Sequence, residues 1–121
     1  MKSATPIPFD FIIDALYHLH PVTKSMFGTT AVYVRDKMVL ALKDNKKDPA
    51  TNGVWISTEQ VYHPELMLLI PSLATFEIYG IKTKNWLLLP SGSVNFEKEA
   101  SIICDLITKN DKRIGRNRSG I

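Results

Sequence analysis

What this chain has least of is cysteine. Cys104 is the one thiol in 121 residues, so no disulfide can form within the chain, and stability has to come from burial. A domain of this length buries roughly 65% of the surface its unfolded chain exposes, which is enough without a disulfide or metal staple. Long hydrophobic runs are missing too. The apolar run at 66–70 is five residues, far below the ~20 that a membrane-spanning helix needs. Residues 1–8 hold no apolar stretch of the secretory kind. The expectation is a soluble, cytoplasmic protein with no membrane partner. There is also no Walker loop, no Gly-x-Gly-x-x-Gly and no Gly-x-Ser-x-Gly. The commonest nucleotide-binding and serine-hydrolase classes therefore have no basis in the sequence, and no cofactor is expected.

What is present is one domain's worth of apolar residues, 45% of the chain, in a pattern that changes period along its length. Phe9, Ile12, Ile13, Leu16 and Leu19 recur at helical spacing, which predicts a helix over 8–19, opened by Pro8 and stopped by Pro21. Residues 31–34 and 38–42 read as strands joined by a polar break of hairpin length at 35–37. Asn52-Gly53 marks a turn before a third strand at 54–57. Pro64 opens a short helix carrying Leu66, Met67, Leu69 and Ile70, closed by Pro71. Residues 74–79 alternate and are β-rich, Gly80 interrupts them, and 86–89 read as a fifth strand ended by Pro90. Asn95 is placed to cap a last helix whose stripe is Phe96, Ala100, Ile103 and Ile107, joined by Cys104.

This order predicts an α+β fold. It consists of an antiparallel sheet of about five strands with N-terminal and C-terminal helices and a short middle helix. The aromatics Phe27, Tyr33, Trp55, Trp86 and Phe96 are expected in the core. The whole of 1–121 reads as a single domain, with 111–121 a basic, flexible, irregular tail.

At Met26-Phe27-Gly28 the sequence resembles the N-terminal domain of the TfoX/Sxy competence-regulator family. That family shows a Met-Phe-Gly motif, then a strand with Tyr (here Tyr33), a hairpin and an apolar strand (here 38–42). Further on it has an aromatic strand ending in Pro before an acidic-capped last helix, matched here by Trp86, Pro90 and Asn95-Phe96-Glu97. The resemblance spans about 22–110. Thr29 stands where the family often has a second Gly, and the chain has no room for the second, helical domain of full-length competence regulators. A looser similarity to YjbR/MmcQ-type double-wing proteins suggests the same architecture. The resemblance implies the fold and a non-enzymatic, regulatory role through a protein partner.

Each residue with chemical potential also has a plainer explanation. Cys104 lies on the apolar stripe of its helix, where a free cysteine behaves as a small buried hydrophobe. His18 and His20 are two apart and point to different faces of a regular helix, so they could pair on a metal only where the helix has frayed before Pro21, with a third ligand such as His63 from elsewhere; a polar helix end accounts for them, and no metal is expected. His63 with Glu59 could perform acid–base chemistry, but His63-Pro64-Glu65 is also an ordinary helix start. Ser91-Gly92-Ser93 lacks the lysine of an anion loop and reads as a turn.

The charge is unevenly placed. Residues 109–121 carry five basic groups and one acid, whereas the rest carries ten basic and eleven acidic. The tail cations Lys112, Arg113, Arg116 and Arg118 are thus candidate nucleic-acid contacts, and equally a solvated end. Three readings stand: a partner-binding regulatory module, a nucleic-acid-associated protein using its tail, and a small-molecule-binding protein with a site between sheet and helices.

Overall fold

A computed structural model describes residues 7–117. The architecture is α+β, as the sequence pattern predicts. Five antiparallel strands make the main sheet in the order β1-β2-β3-β4-β7. They are β1 (Val22–Met26), β2 (Thr29–Val34), β3 (Lys37–Lys43), β4 (Gly53–Ser57) and β7 (Trp86–Pro90). Helices α1 (Asp10–Ala15), α2 (His63–Leu69) and α3 (Phe96–Thr108) accompany the sheet. A small hairpin of β5 (Glu77–Ile78) and β6 (Ile81–Lys82) stands apart from the main ladder, and β8 (Arg116–Asn117) pairs with the start of β3.

Alternation along the strands divides the core in two. Val32, Leu40, Leu42, Val54, Ile56, Leu87 and Leu89 are fully buried with Ile12 and Leu16 of the N-terminal helical segment, Leu66 and Ile70 of the middle one, and Ala100 and Ile103 of α3. The second cluster holds Ala41, Trp55 and Leu88, neighbours across three strands, covered by Phe76 with Met26, Ile78 and Trp86 around them. Between Val32 and Tyr33 the β2–β3 register slips, with Val32 opposite Leu40 and Tyr33 opposite Met38. Val39 is therefore the extra residue of a bulge, and it too is buried in the helix-side core.

Several elements differ from expectation. The first helix does not run 8–19. Phe9 takes a left-handed conformation (φ 52°), α1 ends at Ala15, and Leu16 N–H divides its bond between the carbonyls of Ile12 and Ile13 at 3.1 Å each. That tightening leads into a 3₁₀ turn at Tyr17–Leu19, so the apolar stripe is kept while the helix is not. Residues 74–79 do not form a strand of the main sheet. Ala74 exchanges two 2.9 Å bonds with Leu88, then the chain leaves the ladder and folds back as the β5–β6 hairpin. The fifth strand is instead β1, a polar edge. Asn95 makes no side-chain cap, and the first turn of α3 is closed by Phe96 N–H on the Ser93 carbonyl, 3.1 Å. The C-terminus of α3 is held by Arg35, whose guanidinium donates to the carbonyls of Ile107 (2.8 Å), which also accepts from Asn110 N–H, and Thr108 (3.0 Å), among the last carbonyls of the helix that lack an intrahelical partner.

The tail is the largest correction. Residues 111–117 are not a loose arm. Ile114 is 3% exposed and joins the helix-side core. Gly115 N–H donates to the Ser57 carbonyl at 2.7 Å, and β8 continues the track of β4 along β3. One apolar side chain and an unpaired strand end are enough to dock a segment that composition alone marks as solvent-loving.

Candidate functional site

Three tight hairpins share one backbone solution. Phe27-Gly28, Arg35-Asp36 and Tyr79-Gly80 all have positive φ at both central residues: 48° and 80°, 54° and 67°, 53° and 78°. This is the type I′ pattern, whose twist matches the flanking strands and which favours Asn, Asp or Gly at its first position. Two of the three put an aromatic there instead. A bulky side chain at φ > 0 is a true outlier and costs roughly 1–2 kcal/mol. Both aromatics also face water, Phe27 at 85% and Tyr79 at 87% exposure.

The resemblance motif is thus the β1–β2 turn. Met26 lies half-buried against the second cluster, its carbonyl accepts a 2.6 Å bond from Thr29 Oγ1, and Gly28 supplies the second positive φ. The expectation that Phe27 is core is overturned, because it sits at the tip of the turn with most of its surface exposed. Trp55 is buried, whereas Tyr33, Trp86 and Phe96 are half-buried.

Phe27 and Tyr79 line one cleft of about 350 Å³, together with Trp55, Thr51, Ile78 and Lys43. Trp55 is held rigidly: its Nε1–H donates to the Thr51 carbonyl at 2.9 Å, and its ring meets those of Phe76 and Trp86 at 5.0 and 5.8 Å. Lys43 is buried, with its ammonium donating to the Asp48 carbonyl and to Asn52 Oδ1, and the Asp48 carboxylate 3.6 Å away. The recess is therefore an aromatic and aliphatic floor with one neutralised cation and the exposed Glu77 carboxylate in its wall, framed by two strained aromatic tips.

The other candidates fall in different places. Cys104 is buried beside Ile103 and Ile107. Burial, with the Asp105 charge adding to it, pushes its thiol up to about 11. A thiol so far from ionising is a poor nucleophile. His18 and His20 are exposed, and among the described residues no three His, Cys, Asp or Glu side chains converge as metal ligands. His63 opens α2 ahead of Pro64, as the helix-start reading expects. It is 6% exposed, and desolvation lowers its pKa. Its Nε2 has no hydrogen-bond partner among the described residues. Glu59 is exposed, and no hydrogen bond joins it to His63 among the described residues. Ser91-Gly92-Ser93 is a turn: Ser91 N–H bonds the Asn52 carbonyl (3.0 Å) and Ser93 N–H the Pro90 carbonyl (3.1 Å).

The tail cations are dispersed. Arg113 bonds Asp111 through Nε (2.9 Å) and Nη2 (2.8 Å) and reaches Glu65 at 3.3 Å, so its charge is answered by two carboxylates. That pairing holds the Asp111 carboxyl down to about 2. Arg116 turns onto the sheet, where its Nε donates to Ser57 Oγ at 3.2 Å and its guanidinium lies 5.9 Å from the Trp86 ring centre. Lys112 is exposed, and Arg118 lies outside the described residues. Of the four candidate contacts, Arg113 and Arg116 are thus held against the body of the domain.

Sequence reasoning missed Tyr79 and the pairing of its turn with that of Phe27. The signal was an aromatic-Gly dipeptide, present at both 27–28 and 79–80. No family model, no curated protein and no solved structure matches the chain.

Proposed function

We propose that this domain is a non-enzymatic, partner-binding regulatory module that engages a protein through the aromatic cleft between its two hairpin tips. The observation that carries the reading is the cost of Phe27 and Tyr79. Each takes a backbone conformation that Asn or Gly adopts more cheaply, and each exposes an aromatic ring that water disfavours. Folding does not require either ring, since neither contributes to a core cluster. Exposed aromatics beside a preformed apolar floor are the composition of an interface centre, where rigid rings anchor a partner's side chain. The competence-regulator resemblance, carried by Met26-Phe27-Gly28 itself, implies the same kind of role.

The test is selection from a random peptide display library on the immobilised domain and on a Phe27→Ser/Tyr79→Ser variant. The reading expects peptides rich in apolar anchors that bind the parent and lose at least about tenfold on the variant, a conventional hot-spot effect. Serine removes the rings without touching either core cluster, so the variant should melt close to the parent. Peptides that bind both proteins equally, or no peptides at all, refute the reading.

A further inference from the structure

A second recess has the opposite character. Two adjoining clefts of about 780 and 300 Å³ share Gln60 and Lys84 in their walls. They lie toward the Lys37 end of β3, whereas the aromatic cleft lies at its Lys43 end, about 20 Å away at the rise of a strand. Four cations reach them from three stretches of the chain: Lys37 at the start of β3, Lys82 in β6 with Lys84 in the loop that follows it, and Arg116 in β8. Glu59 is the one carboxylate in either wall.

Among the described residues, the ion pairs are those of Lys43 and Arg113, and none of the four cleft cations belongs to them. Among the described residues, Lys37 hydrogen-bonds the neutral Asn110 Oδ1 (3.2 Å) and Arg116 the neutral Ser57 Oγ (3.2 Å), so both are positioned there without being neutralised. His63, almost wholly buried, also lines the smaller cleft, and its Nε2 is without a partner among the described residues.

We infer that this recess binds the backbone phosphates of a single-stranded nucleic acid. The charge balance calls for an anion, and the spread of four cations over two joined clefts calls for one that repeats. Val61 and Pro64 are the only apolar side chains among the lining residues, which leaves an acidic protein segment little to anchor on. Gln60 and Asn85 offer amide groups to sugars and base edges. The Arg116 guanidinium, backed by Trp86, is a planar surface of the kind on which bases stack. The site takes Arg116 from the basic C-terminal segment, but its other cations come from the body of the domain.

Fluorescence anisotropy with a labelled oligothymidylate, titrated with salt, tests the assignment on the full chain. Four cations engaging a single strand give a slope of log K against log salt of about −3. Lys82→Ala/Lys84→Ala removes two exposed ammoniums with no hydrogen bond to lose. It should cut low-salt affinity about tenfold or more and make the slope shallower by about 1.4. Lys46→Ala/Lys47→Ala removes the same charge from the exposed loop at the Lys43 end and should leave affinity within about threefold, as expected where no phosphate contact is lost. Absence of binding at low salt overturns the inference. So does an equal loss in both variants, which would assign binding to net charge. Equal affinity for a polyglutamate peptide or for inorganic phosphate would show a general anion site and would likewise overturn it.

Discussion

Replacing Gly53 by alanine should damage this fold more than its position at a strand end suggests. Gly53 opens β4 with φ +141°, paired on one side with Lys43 and on the other with Pro90. A Cβ there would stand 2.1 Å from the Leu89 carbonyl oxygen and 2.8 Å from the Ser91 nitrogen. Both are backbone atoms, so no rotamer change relieves the clash. Either the end of β7 moves, and with it the 3.0 Å bond from Ser91 N–H to the Asn52 carbonyl, or β4 tilts out of the ladder. An L-residue held at such a φ costs roughly 1–3 kcal/mol, and forcing a methyl into a packed contact about as much again. At about 3–5 °C per kcal/mol for a domain of this size, Tm should fall by roughly 6–30 °C. Gly28→Ala is the matched control. It also has positive φ, +80°, but its Cβ would meet nothing within 4 Å. It should show the backbone term alone, about 1–2 kcal/mol. Circular dichroism melts of both variants decide the matter. A Gly53→Ala protein melting no lower than Gly28→Ala would refute the close approach of Gly53 to β7.

Ile114→Ala should cost about 2–5 kcal/mol, as for other fully buried aliphatic side chains. Truncation after Asn110 should destabilise at least as much, since it removes Ile114 and β8 together. Urea unfolding measures both, and an unchanged midpoint would mean that 111–117 do not dock. Cys104, with its thiol raised to about 11, should resist thiol reagents at neutral pH until the protein unfolds, and Cys104→Ala should be tolerated at a cost of about 1 kcal/mol. Rapid native-state labelling would contradict its burial.

The helix-side core was legible because periodicity reports burial directly. The strands at 31–34, 38–42, 54–57 and 86–89 stand where their short apolar runs put them, and the stripe of α3 where its 3.6-residue spacing puts it. The edge strand β1 was not, because neither of its faces is buried and it therefore carries no alternation to read: Val22, Lys24 and Ser25 are exposed and Thr23 and Met26 only half-buried. The strand at 74–79 was misplaced for the converse reason. Its alternation is real, and Phe76 is buried, but on the second cluster through a single bridge at Ala74 and not through a ladder. The docked tail hides behind composition, since Ile114 and Gly115 are two residues among cations.

The aromatic tips pose a different problem, and its physics explains why the candidate site was illegible. A hydrophobic scale places Phe27 in the core, and turn chemistry places Asn or Gly at its position. The two local rules disagree, and either one alone gives a wrong answer. A sequence under selection for folding alone resolves such conflicts, because agreement between propensity, pattern and turn chemistry is what gives a single stable structure. Here the conflict occurs twice, in hairpins that belong to different sheets, and both unresolved side chains frame the same recess. The Arg35-Asp36 hairpin shows that the chain can form the same turn from polar residues, with Arg35 used to bond the end of α3. The difference between that turn and the other two is therefore not a requirement of backbone geometry. Exchanging the tips tests this directly: Phe27→Asn and Tyr79→Asn should each raise stability, by up to about 1 kcal/mol from the relieved backbone, while weakening whatever the cleft holds. A loss of stability in either variant would mean that the ring supports the fold, and the case for a surface kept for contact would fail at that tip.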